Sequence, residues 1–205
     1  MKKVFFIFVS LFLFSYCAMA QEKVQSINIG FSPYGMTHAK ISLSDEKYKY
    51  DYKSYWNVYA AFEKQLYGVL SLTELSYSKA KFDEYDLKGT SDWFNPAQEE
   101  DLSAYSLTQY IGWTLNPNKR VQFPMYLGVG FESLQGGALH NLLFDIAAKA
   151  RVKFYITDAI GVYVGATGKI GWGSKHASES DSSSKTYYSV SGSTLYFDAG
   201  VLIGI

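Results

Sequence analysis

Three histidines, a single cysteine and scattered carboxylates make up the catalytic side chains available to this 205-residue chain. His176-Ala177-Ser178-Glu179 sets a base two residues from a hydroxyl with an acid beside it. Such a combination activates a serine when a fold holds the groups within hydrogen-bond reach. Here it opens a serine-rich run, Ser178 to Ser184, where nothing fixes that geometry, so it reads as loop. His38 and His140 stand near other expected loops or strand edges, and no catalytic residue is assigned. The stretch Phe82–Leu102 carries Asp83, Glu84, Asp86, Asp92, Glu99, Glu100 and Asp101 against Lys88 alone, interrupted by Trp93 and Phe94. Carboxylates suit calcium or magnesium, but the ordered spacing of a calcium loop is absent. The stretch reads as a solvated acidic loop, with a contact surface or weak divalent site as the alternative. No metal-ligand set and no cofactor is assigned.

A second group of charges is patterned. Glu63, Glu132, Asp145, Lys149, Arg151, Lys153, Lys169 and Asp198 each fall on the polar side of an alternating stretch. The clearest such stretch is Leu142 to Gly173. In its first arm Leu142, Phe144, Ile146, Ala148, Ala150, Val152, Phe154 and Ile156 share one face, and Leu143, Asp145, Ala147, Lys149, Arg151, Lys153 and Tyr155 the other. After a turn around Asp158 the pattern resumes, with Ile160, Val162, Val164, Ala166, Ile170 and Trp172 against Gly161, Tyr163, Gly165, Thr167, Lys169 and Gly171. A period of two held this long predicts strands, each longer than the usual ~5–6 residues.

The same pattern recurs along the chain. Strands are expected at Val24–Tyr34, Tyr48–Glu63, Gly68–Lys81, Ser103–Leu115, Val121–Glu132, the two arms above, and Leu195–Ile205, eight in all. In Gly68–Lys81 the facing is ambiguous, because Leu70 and Leu72 compete with Val69, Leu75 and Tyr77. The connections alternate: Lys64–Tyr67, Asn116–Arg120 and Thr157–Ala159 are short, while Ala39–Lys47, Phe82–Leu102, Ser133–Asn141 and Ser174–Thr194 are longer and polar. Short turns at one end and long loops at the other, on an even number of strands, characterise outer-membrane barrels.

Residues 1–20 read as a cleaved secretory signal: Lys2 and Lys3, the apolar run Val4–Phe14, and Ala18-Met19-Ala20 ahead of Gln21. Cys17 lies inside it, preceded by Tyr16 where a lipoprotein signal would carry a small residue. The expected barrel domain, 21–205, then has no cysteine. Without Lys2 and Lys3 it has 17 basic residues of the chain's 19, against 19 acidic ones, which argues against a nucleic-acid partner.

Two chemistries of barrel differ in which face is inside. A soluble, lipocalin-like ligand-binding barrel puts the apolar face inward. Here the polar faces of the fifth strand and the last two carry Gly128, Gly130, Gly161, Gly165, Gly171, Gly200 and Gly204 but only Glu132, Lys169 and Asp198 as charges. That is too few charges for a water-facing surface and suits the cramped lumen of a small barrel. The expected fold is therefore all-β, an eight-stranded antiparallel up-and-down transmembrane β-barrel with a polar, filled interior. The eight patterned charges become a structural lumen network. Trp56, Phe131, Phe144, Trp172 and Phe197 fall at the upper membrane interface, and Phe62, Trp113, Phe123 and Phe154 at the lower. Tyr48, Tyr50 and Tyr52, alternating with Lys49, Asp51 and Lys53, read as a strand rising past the bilayer, with a sheet edge able to bind an extended partner.

With its signal segment, the strand Tyr126-Leu127-Gly128-Val129-Gly130 and the amphipathic final strand, the chain resembles the small bacterial outer-membrane β-barrel proteins of the OmpX and OmpA-barrel type. Final strands of that family often end in phenylalanine, where this one ends in Ile205. The resemblance implies outer-membrane lipid and lipopolysaccharide as surroundings, and the barrel-assembly machinery during biogenesis. It further implies a non-enzymatic structural role, or surface interaction with an extracellular protein or ligand through the loops. The alternative is a lipid A-modifying enzyme. His176 and Ser178 resemble the His-x-Ser pair of lipid A deacylases in spacing only, and His38 lacks the acid–serine pair of a palmitoyltransferase.

Overall fold

Eight long strands, each with two unlike faces, have one simple arrangement: every strand pairs antiparallel with its sequence neighbours and the last returns to the first. The computed structural model of the chain has this form. It describes residues 24–43, 46–66, 69–88, 102–117, 119–136, 139–177 and 186–205, with side chains for 25–36, 56–65, 69–81, 102–117, 119–135, 141–173 and 191–205. The strands are β1 (Val24–Leu43), β2 (Glu46–Leu66), β3 (Val69–Lys88), β4 (Leu102–Leu115), β5 (Val121–Gly136), β6 (Leu139–Tyr155), β7 (Ile160–Ala177) and β8 (Thr186–Gly204). They form a closed barrel in sequence order. β8 closes on β1 from Ser26↔Gly204 to Leu43↔Tyr188.

The strands run longer at the upper end than the alternation predicts. Ala39–Lys47, expected as a loop, is paired strand up to Leu43↔Glu46. Likewise β5 and β6 pair up to Gly136↔Leu139, and β7 and β8 up to Ala177↔Thr186. The expectation of a bindable edge at Tyr48–Lys53 is overturned, because Tyr48–Tyr52 pair with β1 on one side and Tyr48–Lys53 pair with β3 on the other. From Tyr48 to Tyr52 both rows of backbone donors and acceptors are used, so no edge is left there for an added strand.

Strand β1 contains Pro33, which has no N–H to give a ladder and belongs at a bulge. The β1–β8 register shifts there, between Phe31 and Tyr34. As a result Ile27, Ile29 and Phe31 face outward below the bulge, and Tyr34 and Met36 above it.

At the lower end the chain reverses tightly. Asn116 takes a positive φ of 57°, which asparagine tolerates better than most residues, and its carbonyl accepts the Lys119 N–H at 3.1 Å. The Thr157 hydroxyl oxygen accepts the N–H groups of Ala159 (3.2 Å) and Ile160 (3.0 Å) in the next turn. The Pro117 carbonyl accepts from Gln65 Nε2 on β2 (3.3 Å) and Gln122 Nε2 on β5 (2.7 Å), both inward-facing residues. That turn therefore folds across the lower mouth. No helix among the described residues is long and apolar enough to cross a membrane.

Candidate functional site

The barrel is polar inside and apolar outside. Its outer face exposes a belt of large apolar side chains from every strand, among them Ile29, Val58, Leu75, Ile111, Leu127, Ile146, Val164 and Val201. Trp113, Phe123, Phe154, Trp172 and Phe197 also point outward, and Trp56 and Phe131 are half-buried on the same surface. Phe131, Phe144 and Trp172 form an edge-to-face row across β5, β6 and β7, with ring centroids 5.8 and 5.7 Å apart. Trp56 meets Tyr77 edge-on at 5.6 Å.

Inside, the charges stack in three tiers. In the lowest, Lys153 pairs with Glu63, whose other oxygen accepts the Tyr126 hydroxyl at 2.8 Å. Fully buried Leu70, Leu72 and Leu202 fill the space around it. In the middle tier Lys149 pairs with Glu74, and Arg151 lies between Asp198 (3.2 Å) and Glu74 (3.6 Å). The Tyr59 hydroxyl accepts from Arg151 Nη2 at 2.7 Å and donates to Asp198. Aromatic faces complete the packing: Arg151 lies 4.4 Å from the Tyr163 ring centroid, and Lys149 lies 4.7 and 4.9 Å from those of Tyr59 and Tyr110. In the upper tier Lys169 donates to Ser106 at 2.9 Å and lies 3.9 Å from Glu132. Asp145 stands in this tier and forms no ion pair among the described residues.

Glycine supplies the room for these side chains. A Cβ on Gly128 would fall 2.4 Å from the Tyr110 ring, and one on Gly165 would fall 2.7 Å from Arg151 and 2.8 Å from Asp198. The lumen is filled by side chains, as an eight-stranded barrel allows.

Of the eight charges read from the sequence, Glu63, Asp145, Lys149, Arg151, Lys153, Lys169 and Asp198 are buried in the lumen. Glu132 is there as well, 16% exposed at the upper end. The sequence reading missed Glu74, the carboxylate at the centre of the network. It also gave no role to Tyr59, Tyr110 and Tyr163, which line the cations. Pairing would have revealed Glu74: Leu75 opposes Leu107, whose outward facing is unambiguous, so Glu74 must point in. The side chains of His38, His140 and His176 lie outside the described residues, as do Ser178 and the acidic residues Asp92, Glu99, Glu100 and Asp101 with Trp93 and Phe94. Residues 1–20 with Cys17 lie outside them too. Among the described residues no three His, Cys, Asp or Glu are grouped to hold a metal.

A family model described as "Domain of unknown function (DUF2715)" matches residues 92–201, just over half of the chain. The chain belongs to this family. The match takes in β4 to β7 and most of β8, and so every tier's cations, while Tyr59, Glu63 and Glu74 precede it. No curated protein matches this DUF2715 chain. Among solved structures, Neisserial surface protein A is similar at 12% identity and a TM-score of 0.45, over 90% of this chain and 100% of that one. Ail, the attachment invasion locus protein of Yersinia pestis, is similar at 16% identity and a TM-score of 0.41, over 89% and 100%. The outer membrane protease OmpT from Escherichia coli is similar at 8% identity and a TM-score of 0.45, over 91% and 99%.

Proposed function

We propose that the chain is a non-enzymatic protein of the bacterial outer membrane, a filled barrel that presents the upper ends of its strands to the cell exterior. The observation that carries this reading is the inverted polarity, with ion pairs buried inside and large aliphatic side chains exposed outside. Water would penalise such a surface, whereas hydrocarbon demands it, and a closed ladder leaves no backbone group unpaired there. Trp56, Phe131, Trp172 and Phe197 serve as the upper interfacial aromatics, and Trp113, Phe123 and Phe154 as the lower. Lipopolysaccharide surrounds the upper rim. Residues 1–20 direct export and are removed after Ala20, and the barrel-assembly machinery inserts the remainder. Crossing a bilayer takes about 9–11 residues of a strand. With 20, 21 and 20 residues, β1, β2 and β3 have length to spare for a raised wall available to an extracellular partner.

The test is membrane fractionation with gel mobility of boiled against unboiled protein, followed by surface labelling. On a Cys17→Ser chain, Tyr48→Cys should react with an impermeant thiol reagent on intact cells, and Lys119→Cys only after lysis. A detergent-free soluble protein without a heat shift would refute the reading, and the reverse labelling pattern would refute the orientation.

A further inference from the structure

One place on the outer face breaks the apolar belt. Gln109 on β4 lies in an outward position, between Leu107 (45% exposed) and Ile111 (46%), yet is itself only 7% exposed. Its side chain lies flat against β3. Gln109 Oε1 accepts the Thr73 hydroxyl at 2.6 Å, while Nε2 donates to Ser71 Oγ at 3.0 Å and to the Tyr110 carbonyl at 3.3 Å. Thr73 is directly opposite Gln109 in the ladder, and Ser71 is opposite Ile111. Thr73 lies four residues above the lower end of β3, and Gln109 six above that of β4. At about 3.3 Å of rise per residue these groups sit roughly 13–20 Å along the strands, inside an apolar band about 25 Å tall. Val69 and Trp113 flank them below, and Leu75 and Leu107 above, all exposed.

The hydrogen-bond inventory of this trio is unbalanced. Both Gln109 amide protons are used, and the Thr73 proton is used. Ser71 accepts the amide but keeps its own hydroxyl proton, on a half-buried residue facing outward. Gln109 Oε1 and Thr73 Oγ1 keep lone pairs. Lipid chains offer neither donor nor acceptor, and Ser, Thr and Gln on membrane-facing surfaces hydrogen-bond across interfaces between protein segments. A partner that presents acceptors to Ser71 and a donor to Gln109 or Thr73, within a matching apolar rim, is supplied by the same patch turned through a two-fold axis.

We propose that Ser71, Thr73 and Gln109 on the β3–β4 outer face form the contact between two copies of this chain in the membrane. This rests on the outer-membrane reading above. Ser71 of one copy donates to Gln109 Oε1 or Thr73 Oγ1 of the other, and the exposed Leu75 and Leu107 pack around the pair.

The test is oxidative cross-linking in isolated membranes, with the full chain carrying Cys17→Ser and one introduced cysteine. Leu75→Cys should give a species of twice the monomer mass, and Val164→Cys, on the outer face of β7, should not. Ser71→Ala with Thr73→Val, which leaves the Gln109 bond to the Tyr110 carbonyl in place, should lower the Leu75→Cys yield about tenfold while the heat-shifted monomer persists. Equal cross-linking at both positions, a yield untouched by the paired substitution, a monomer throughout, or an adduct with a different protein would each overturn the dimer. If the protein neither reaches the outer membrane nor shifts on heating, the membrane reading fails first and the dimer with it.

Discussion

Arg151 shows how tightly the lumen charges depend on one another. It faces two carboxylates and is stacked on Tyr163, so removing it leaves Asp198 and Glu74 buried with less positive charge than they need. Breaking a buried pair from one side costs about 3–5 kcal/mol, whereas removing both partners costs far less. Arg151→Met is expected to lower the unfolding free energy of the heat-shifted form by that order, and Arg151→Met with Asp198→Asn to recover a large part of the loss. A double-mutant cycle on urea unfolding measures it; additive losses would mean the pair is not coupled. The same reasoning ranks two carboxylates. Glu74 is enclosed, with Lys149 and Arg151 on it, while Glu132 is partly exposed and its lysine is 3.9 Å away. Glu74→Gln should therefore cost more stability than Glu132→Gln in the same assay.

Among the elements, the turn after β4 is the most sharply specified. Asn116 holds a positive φ, a conformation that costs other L-residues about 1–2 kcal/mol. Asn116→Gly should be neutral to within a few tenths of a kcal/mol, and Asn116→Val should destabilise by about 1 kcal/mol, both read from unfolding midpoints. Over the lower and middle parts of β5 to β8 the facing is legible, because an apolar outer face against a polar or glycine inner face gives a period of two. That of β3 is not. Its inner face mixes Leu70 and Leu72 with Glu74, and its outer face mixes Val69 and Leu75 with Ser71 and Thr73, so composition alone cannot assign the sides. The same ambiguity hid both the central carboxylate and the polar trio. The upper ends of all the strands but β4 fall in stretches that read as loop for a different reason. In Ala39–Lys47 the polar run Ser44-Asp45-Glu46-Lys47 reads as a loop, and it hides the short alternation of Ala39, Ile41 and Leu43 with Lys40 and Ser42 beside it.

For the whole molecule, the partition of polarity makes opposite demands on the two faces. Ile146 is 48% exposed within the apolar belt, and Ile146→Arg would place a charge in hydrocarbon. The expected cost is about 2–4 kcal/mol, measured as folding efficiency into lipid vesicles, and a much smaller cost would mean the position is solvated. The filled lumen predicts the electrical behaviour as well. Among the described residues, Leu70, Leu72 and Leu202 below and the Arg151 and Lys149 tier above them occupy the lumen. Protein reconstituted in a planar bilayer should give no stepwise conductance, and steps of the size produced by an open porin would contradict the packing described.

The seam between β1 and β8 carries a further consequence, for lifetime. It joins Ser26 to Gly204 and continues to Leu43 and Tyr188, so the ring has no terminal strand from which to fray. Opening it means losing a whole ladder at once, into surroundings that offer no replacement partners. The height of that barrier, more than any equilibrium balance, sets how long a folded copy lasts. After a jump into urea the heat-shifted form should then be lost slowly, and unfolding and refolding curves should superimpose only after long equilibration.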